Sequence, residues 1–350
     1  NIRTAATILL LCLLASASAA ERHLRNKFLD RLYSIAKDFS RLDTNYIEPQ
    51  KYNYAVMLQN TNTYEMYRIS NGNQQSVDLA PAPSYKVGPY FGWRWIFLGY
   101  TLDVTHLGSR NKRTGIDLSL YSNQIGIDLF YRTTGDDYHI RRIELGDDAK
   151  IDVSPLRGVD FGGLHANIRG FNLYYITNHK KFSYPAAFSQ STRQIRSTGS
   201  PILGVGYTHH RLSMDWKTLR DVVTAHLGHK PEFEDLAMNS FAGTVMGGYG
   251  YNWVFARDWL FGASLSASLA YLHTISEEEK QQGASANIFR INKFTVDGIA
   301  RLGLVYNNAK WFAGASAVFH TYNYHEKEFS TNSVFGSVNF YVGFNFGKKK

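Results

Sequence analysis

The stretch WLFGASLSASLAYLH, Trp259 to His273, constrains the fold of this chain more than any other. Apolar residues recur at every second position: Trp259, Phe261, Ala263, Leu265, Ala267, Leu269 and Tyr271. The residues between them are mostly small: Gly262, Ser264, Ser266, Ser268 and Ala270. A period of two belongs to a β-strand, whose side chains point alternately to opposite faces. An apolar face rimmed by aromatics and backed by glycine and serine suits a wall with hydrocarbon on one side and crowded space on the other.

The same period recurs along the chain. In RWIFLGYTLDV, Ile96, Leu98, Tyr100, Leu102 and Val104 oppose Thr101 and Asp103. In TGIDLSL and QIGIDLFYR, apolar residues oppose Asp117, Ser119, Asp128 and Arg132. In FTVDGIARLGLVY they oppose Asp297 and Arg301. YNYAVMLQN and TYEMYRIS read as a hairpin turning at Asn60 to Asn62, followed by a proline-rich connection, LAPAPS. These strands run about 11–16 residues, longer than the ~5–6 of soluble sheets and enough for a tilted membrane strand of ~9–11 residues with extensions. Short turns (FARD at Phe255–Asp258, NNAK at Asn307–Lys310) alternate with longer connections (SEEEKQQGASAN, and Trp216 to Asn239).

Past the first residues no apolar run reaches ~18, so no helical membrane span is expected. Membrane insertion then requires a closed β-barrel, the other structure that satisfies its backbone in lipid. The expected fold is a closed antiparallel up-and-down transmembrane barrel of about 12 strands, with 10 to 14 allowed by pattern reading. A soluble β-sandwich or periplasmic barrel shares the alternation and is the competing architecture.

In the barrel, Asp103, Asp117, Asp128, Arg132, Asp297 and Arg301 face inward as a polar network. Facing lipid, each arginine would cost about 2–4 kcal/mol near mid-membrane. Trp253, Trp259, Tyr271, Tyr306 and Phe346 fall at strand ends, where aromatic girdles form. The segment YPAAFSQSTRQIRSTGS, Tyr184 to Ser200, is too long and too aromatic for a simple turn. It is expected to fold against or into the barrel, with Gln190, Arg193, Gln194 and Arg196 engaging inward acids; a strand pair with a flexible tip is the alternative.

The N-terminus reads as a signal peptide over residues 1–20: Arg3, an apolar core Ile8–Leu14, then small residues Ala15–Ala20. Cys12, the single cysteine among 350 residues, lies within it. The remaining chain then has neither disulfides nor thiolate chemistry. Residues 21–45 follow as an amphipathic helix, with Leu24, Phe28, Leu32, Ile35, Phe39 and Leu42 on one stripe. Its basic opposite face suits a membrane surface or a barrel mouth; a helix packed on the protein body is the alternative. The barrel is assigned to 46–347 and a basic tail to 348–350. The net charge of +9 suits anionic headgroups, but no Lys/Arg block favours nucleic acid.

Residue patterns for chemistry are weak. His209 and His210 with Ser189 or Ser191 would supply a nucleophile and base, but no G-x-S-x-G elbow is present. His226 and His229 near Glu232 and Glu234 have only loose metal-ligand spacing. No catalytic residue, metal or cofactor is assigned.

YIEPQKYNYAVMLQNTNTYEMYRIS, GPYFGWRWIFLGYTLDVTHLG, FSYPAAFSQSTRQIRSTGSPILGVGYTHHRLSMD and YNWVFARDWLFGASL together resemble a family of uncharacterised exported bacterial proteins, domain of unknown function 4421. The resemblance spans about Tyr46 to Phe346. It implies an outer-membrane barrel in a Gram-negative bacterium and brings no activity. Phe340-x-Val342-x-Phe344-x-Phe346 matches the terminal aromatic strand read by outer-membrane assembly machinery, although GKKK follows it. The expected partners are that machinery and outer-membrane lipid. The expected role is a scaffold, accessory subunit or narrow pore, with a barrel-embedded lipid hydrolase or acyltransferase and a soluble periplasmic protein as alternatives.

Overall fold

The structure, a computed structural model, describes residues 42–71, 75–93, 96–99, 101–105, 114–146, 151–228, 236–274, 294–325 and 329–349. The expected leader at 1–20 with Cys12, most of the expected amphipathic helix, and the SEEEKQQGASAN connection lie outside these residues. The four described residues of that helix, Leu42 to Asn45, form coil and turn rather than helix.

The chain forms β1 (Ile47–Pro49), β2 (Tyr52–Asn71), β3 (Gln75–Pro81), β4 (Ser84–Trp93), β5 (Ile96–Gly99), β6 (Leu102–Asp103), β7 (Thr114–Tyr121), β8 (Ile125–Thr133) and β9 (Tyr138–Leu145). Then come β10 (Leu164–Ile176), helix α1 (Tyr184–Phe188), β11 (Thr192–Gln194), β12 (Thr198–Met214) and helix α2 (Trp216–Leu227). The long strands β13 (Leu236–Ala256), β14 (Trp259–Thr274), β15 (Phe294–Asn307), β16 (Trp311–His325) and β17 (Phe329–Lys348) complete it.

Twelve strands form one antiparallel path in the order β5-β4-β2-β17-β16-β15-β14-β13-β12-β10-β8-β7. Among the described residues its end strands, β5 and β7, are not paired with each other. At one end of the strands, however, β3 pairs with both β2 and β9. That ladder ties the β2 side of the path to the segment leaving β8. The sheet also curls: Arg132 on β8 lies with its guanidinium carbon 4.7 Å above the ring of Phe335 on β17.

Two expectations about the early strands are corrected. β2 runs unbroken through Asn60–Asn62, pairing with β17 from Asn71↔Phe329 to Tyr52↔Lys348. Turn-favouring residues are tolerated there because their amides bond laterally, Asn62 Nδ2 donating to Asn60 Oδ1 and to the Val338 carbonyl. LAPAPS is not a long connection: only Ala82 and Pro83 separate β3 from β4. Proline cannot donate to a ladder, so the strand breaks there and β3 diverges toward β9.

The two ends of the sheet differ. At the turn end, β13 and β14 are joined by Arg257 and Asp258, and β15 and β16 by Asn308–Lys310. Asp258 and Ala309 take left-handed φ values of 68° and 73° there. The opposite, loop end holds an apolar core on the concave face. Tyr67, Ile69, Leu79, Ile140, Phe161, Leu212, Leu272 and Phe335 are buried in it. The stretch read as a loop after Trp216 contains α2, N-capped by Asp215, whose carboxylate accepts from the Thr218 amide at 3.0 Å. Trp216, Leu219 and Val223 of α2 add to that core.

Between the ends the alternation is inside-out. On β14, Leu265 and Leu269 are exposed while Ser264, Ser266 and Ser268 are buried. On β13, Val245, Tyr249 and Trp253 are exposed while Met246 and Asn252 are buried.

Candidate functional site

The functional candidates converge on the concave face toward the turn end. After β10 the chain turns inward through Asn178, whose carbonyl accepts from the amides of Lys181 and Phe182. Ser183 then caps α1, its hydroxyl accepting from the Ala186 amide at 3.2 Å, with Pro185 in the first turn. Proline suits that position because its missing N–H has no helical partner. Gln190 reverses the chain with φ 53°, and β11 pairs antiparallel with β1.

Two glycines make room for α1. Gly262 and Gly303 face each other in register across β14 and β15. A Cβ on Gly262 would sit 2.5 Å from the Ala187 Cβ, and one on Gly303 would sit 2.7 Å from the Ala187 carbonyl oxygen. Ala186 and Ala187 pack there against Leu260 and Val305. Gly262→Val is expected to destabilise the fold by about 1–3 kcal/mol, the usual cost of overpacking. Urea unfolding monitored by tryptophan fluorescence measures this; an unchanged midpoint would remove α1 from that position.

Gln194 organises the same segment. Its Nε2 lies within hydrogen-bond distance of the carbonyls of Tyr46, Lys181 and Arg196. Its Oε1 accepts from the Ser183 amide and from Asn252 Nδ2. Gln190 Nε2 donates to the Tyr341 hydroxyl on β17 at 2.7 Å. Arg193 pairs with Glu48 and Asp258 at the rim. Burial opposes ionisation of Glu48, but Lys51 and Arg193 outweigh it and hold its carboxyl below the usual range. Arg196 is exposed, above the ring of Tyr46. The expectation that all four residues engage inward acids is therefore corrected. Arg193 alone meets carboxylates, and they lie at the rim.

Deeper inside, Arg301 on β15 crosses to Asp128 on β8, donating through Nη2 to Asp128 and to the Tyr174 hydroxyl. Asp128 also accepts from Ser119, Tyr121 and Tyr174. Arg301 is only 2% exposed. Its guanidinium lies 5.0 Å from the Tyr174 ring centroid and 6.0 Å from that of Tyr184. Tyr184 packs edge-on against Tyr121, so α1 and the buried ion pair form one continuous contact. A cavity of about 70 Å³ beside them is lined by Arg132, Arg301 and His320.

Of the other residues expected in this network, Asp103 and Asp297 lie apart from it. Asp103 on β6 accepts from Ser84 and Thr105. Asp297 accepts from the Asn323 amide. The backbone of Asp117 pairs with Phe130; its side chain lies outside the described residues. The sequence reading omitted Tyr121 and Tyr174, whose inward parity was the available signal, whereas Tyr184 opens the segment expected to fold inward. It named Gly262 among the small residues of one face but not Gly303, which faces it.

Trp253, Trp259 and Phe346 are exposed on the convex face at the turn end. Tyr306 packs there on Trp259, with ring centroids 5.4 Å apart. Tyr271 packs on Phe294 at the other end of β14.

The serine–histidine arrangement does not assemble. Ser189 and Ser191 contact each other, whereas His209 bonds Arg169 and Asn239. His210 is ten residues along β12 from Ser200, about 33 Å at strand rise. His226 Nδ1 lies 2.8 Å from the Val222 carbonyl of its own helix; His229, Glu232 and Glu234 lie outside the described residues. Among the described residues no cluster could hold a metal ion, and no helix is long and apolar enough to cross a membrane.

A family model described as a domain of unknown function (DUF4421) matches residues 41–346. Among curated proteins, none matches the sequence. Several solved structures align over most of the chain. The outer membrane protease OmpT from Escherichia coli is 7% identical, covering 88% of this chain and 100% of its own, at a TM-score of 0.35. The P. putida toluene transporter TodX is 8% identical, covering 85% and 91%, at 0.26. The translocator domain of the autotransporter NalP from Neisseria meningitidis is 10% identical, covering 91% and 94%, at 0.28. At such values these neighbours bring no activity to this chain.

Proposed function

The chain belongs to the DUF4421 family, and from that premise we propose that it is an outer-membrane barrel acting as a non-enzymatic scaffold or accessory subunit, its interior filled rather than conducting. One observation carries this reading: the burial pattern is inverted. The largest fully buried side chain is Arg301, whereas Leu265 is 67% exposed. A water-soluble protein gains stability by the opposite arrangement.

The dimensions agree. Trp259 and Tyr271 are twelve residues apart on one strand, about 40 Å along it, or ~30 Å along the normal at the tilt of membrane strands. That spans an apolar band of ~25 Å with its aromatic girdles. Trp253, Trp259, Tyr306 and Phe346 form the girdle at the turn end, and Tyr271 belongs to the other. In this reading the turn end faces the periplasm. The assembly machinery reads the final strand through Phe340, Val342, Phe344 and Phe346, all exposed on the convex face. The expected leader over residues 1–20 directs export and is removed from the mature chain.

The interior supports a scaffold over a pore. The segment carrying Gln190, Arg193, Gln194 and Arg196 acts as a plug, and the Asp128–Arg301 pair fills the level above it. The cavity of about 70 Å³ beside that pair is large enough for ordered waters. The full chain, refolded into phosphatidylcholine vesicles, is expected to show heat-modifiable gel mobility, to resist carbonate extraction, and to give no unitary current steps in planar bilayers. Recovery in the carbonate-soluble fraction would overturn the membrane assignment. Regular current steps would overturn the filled interior.

A further inference from the structure

The convex face carries one polar cluster that neither the scaffold role nor the plug uses. It lies on β10, β12 and β13, where the apolar belt ends toward the loop end. Arg169 pairs in register with His209, and Arg211 with Asn239. In the row below, Phe171 and Tyr207 pack with ring centroids 6.3 Å apart, and Tyr207 also packs at 6.3 Å on Phe241, which pairs in register with His209.

The bonding within the cluster fixes which groups remain available. Arg169 Nε donates to His209 Nδ1 at 3.1 Å. Arginine has no acceptor, so Nδ1 carries the lone pair and the neutral ring holds its proton on Nε2. That nitrogen donates to Asn239 Oδ1 at 2.8 Å. The same oxygen receives Arg211 Nε at 3.4 Å. His209 itself is buried and stacked on Phe241, 4.2 Å between centroids and 9° from parallel. Both arginines therefore spend Nε on a half-buried His–Asn bridge and keep their Nη groups for a further partner. Both are exposed, and among the described residues neither has a carboxylate partner.

We propose that Arg169 and Arg211, oriented by His209 and Asn239, bind the phosphate of a lipid headgroup at the loop-end edge of the apolar belt. The guanidinium fork matches phosphate oxygens in paired N–H···O geometry. Diagonal neighbours on adjacent strands stand ~7–8 Å apart, a gap one phosphate bridges. The ligand is a lipid rather than a free anion because Phe171 and Tyr207 continue the exposed belt directly below, where an acyl chain lies. Two like charges held side by side at the end of a hydrocarbon-facing strip call for an anion at that level. In the orientation proposed above, on which this site rests, that level is the outer leaflet.

The test uses the full chain, purified in neutral maltoside detergent and titrated with diphosphorylated or dephosphorylated lipid A. Retained lipid is counted by native mass spectrometry. The wild type is expected to retain the phosphorylated lipid at least tenfold better than the dephosphorylated one. Arg169→Gln with Arg211→Gln is expected to abolish that preference, with heat-modifiable mobility confirming the fold. Arg169→Lys with Arg211→Lys keeps the charge but loses the fork, and is expected to retain the lipid severalfold less well than wild type. It serves as the readout if the glutamine variant does not fold. Equal retention of the two lipids, or retention unchanged in either double variant, overturns the site while leaving vesicle insertion intact. Displacement by an equal concentration of inorganic phosphate overturns the lipid as its source. Failure to insert into vesicles overturns this site together with the membrane assignment.

Discussion

Arg301→Ala is expected to destabilise the protein by about 3–5 kcal/mol, the cost of leaving one member of a buried ion pair without the other. Asp128 would keep its three hydroxyl donors, Ser119, Tyr121 and Tyr174, but no compensating charge. The companion variant Asp128→Asn with Arg301→Met is expected to recover much of that loss, because it removes both desolvated charges at once and leaves neither unpaired. Equilibrium unfolding in urea, with the chain in lipid vesicles, gives both values. A loss below about 1 kcal/mol for Arg301→Ala, as for an exposed pair, would show that water reaches the pair and that the interior is not filled at that level.

Leu265→Arg is expected to cost about 2–4 kcal/mol, the penalty for a cation facing hydrocarbon near mid-membrane. Leu265 lies midway between Trp259 and Tyr271 on β14. On a water-exposed face the same change would fall within about 0.5 kcal/mol. The two environments thus predict well-separated results from one substitution. Trp259→Arg is the internal control: near the interface the charge penalty falls to about 0–1 kcal/mol, leaving mainly the loss of the contact with Tyr306. Equal, negligible effects at both positions would leave the apolar belt facing water.

The alternation in Trp259–Tyr271 was legible because each residue's face depends only on its own strand. Trp259, Leu265 and Leu269 stand exposed and Ser264, Ser266 and Ser268 buried, as period two requires. Partners were not legible. Asp128 and Arg301 share inward parity, but they are 173 residues apart, and the curl that joins them is a property of twelve strands together. The same holds for Gly262 and Gly303: two small residues announce space without naming its occupant.

Two local misreadings have local causes. Asn60–Asn62 looked like a turn because asparagine favours turns, yet β17 pairs with β2 throughout that stretch and tertiary pairing overrode the preference. The inward face was read as small and polar, yet Tyr67, Ile69 and Leu272 face inward. At the loop end the interior is dry, so the rule that inward means polar stops there. The short helix α1 gives too little periodicity to detect; only its aromatic and proline content distinguished it.

The ladder between β2 and β17 carries a consequence for biogenesis. It joins the first long strand of the sheet to the last, from Asn71↔Phe329 to Tyr52↔Lys348. β2 therefore waits, with that edge unsatisfied, until the C-terminal residues of the chain have been made. Loop-closure entropy makes such distant pairing slow. Truncation anywhere before β17 would leave that edge of β2 bare, its backbone N–H and C=O groups open to pairing with another chain.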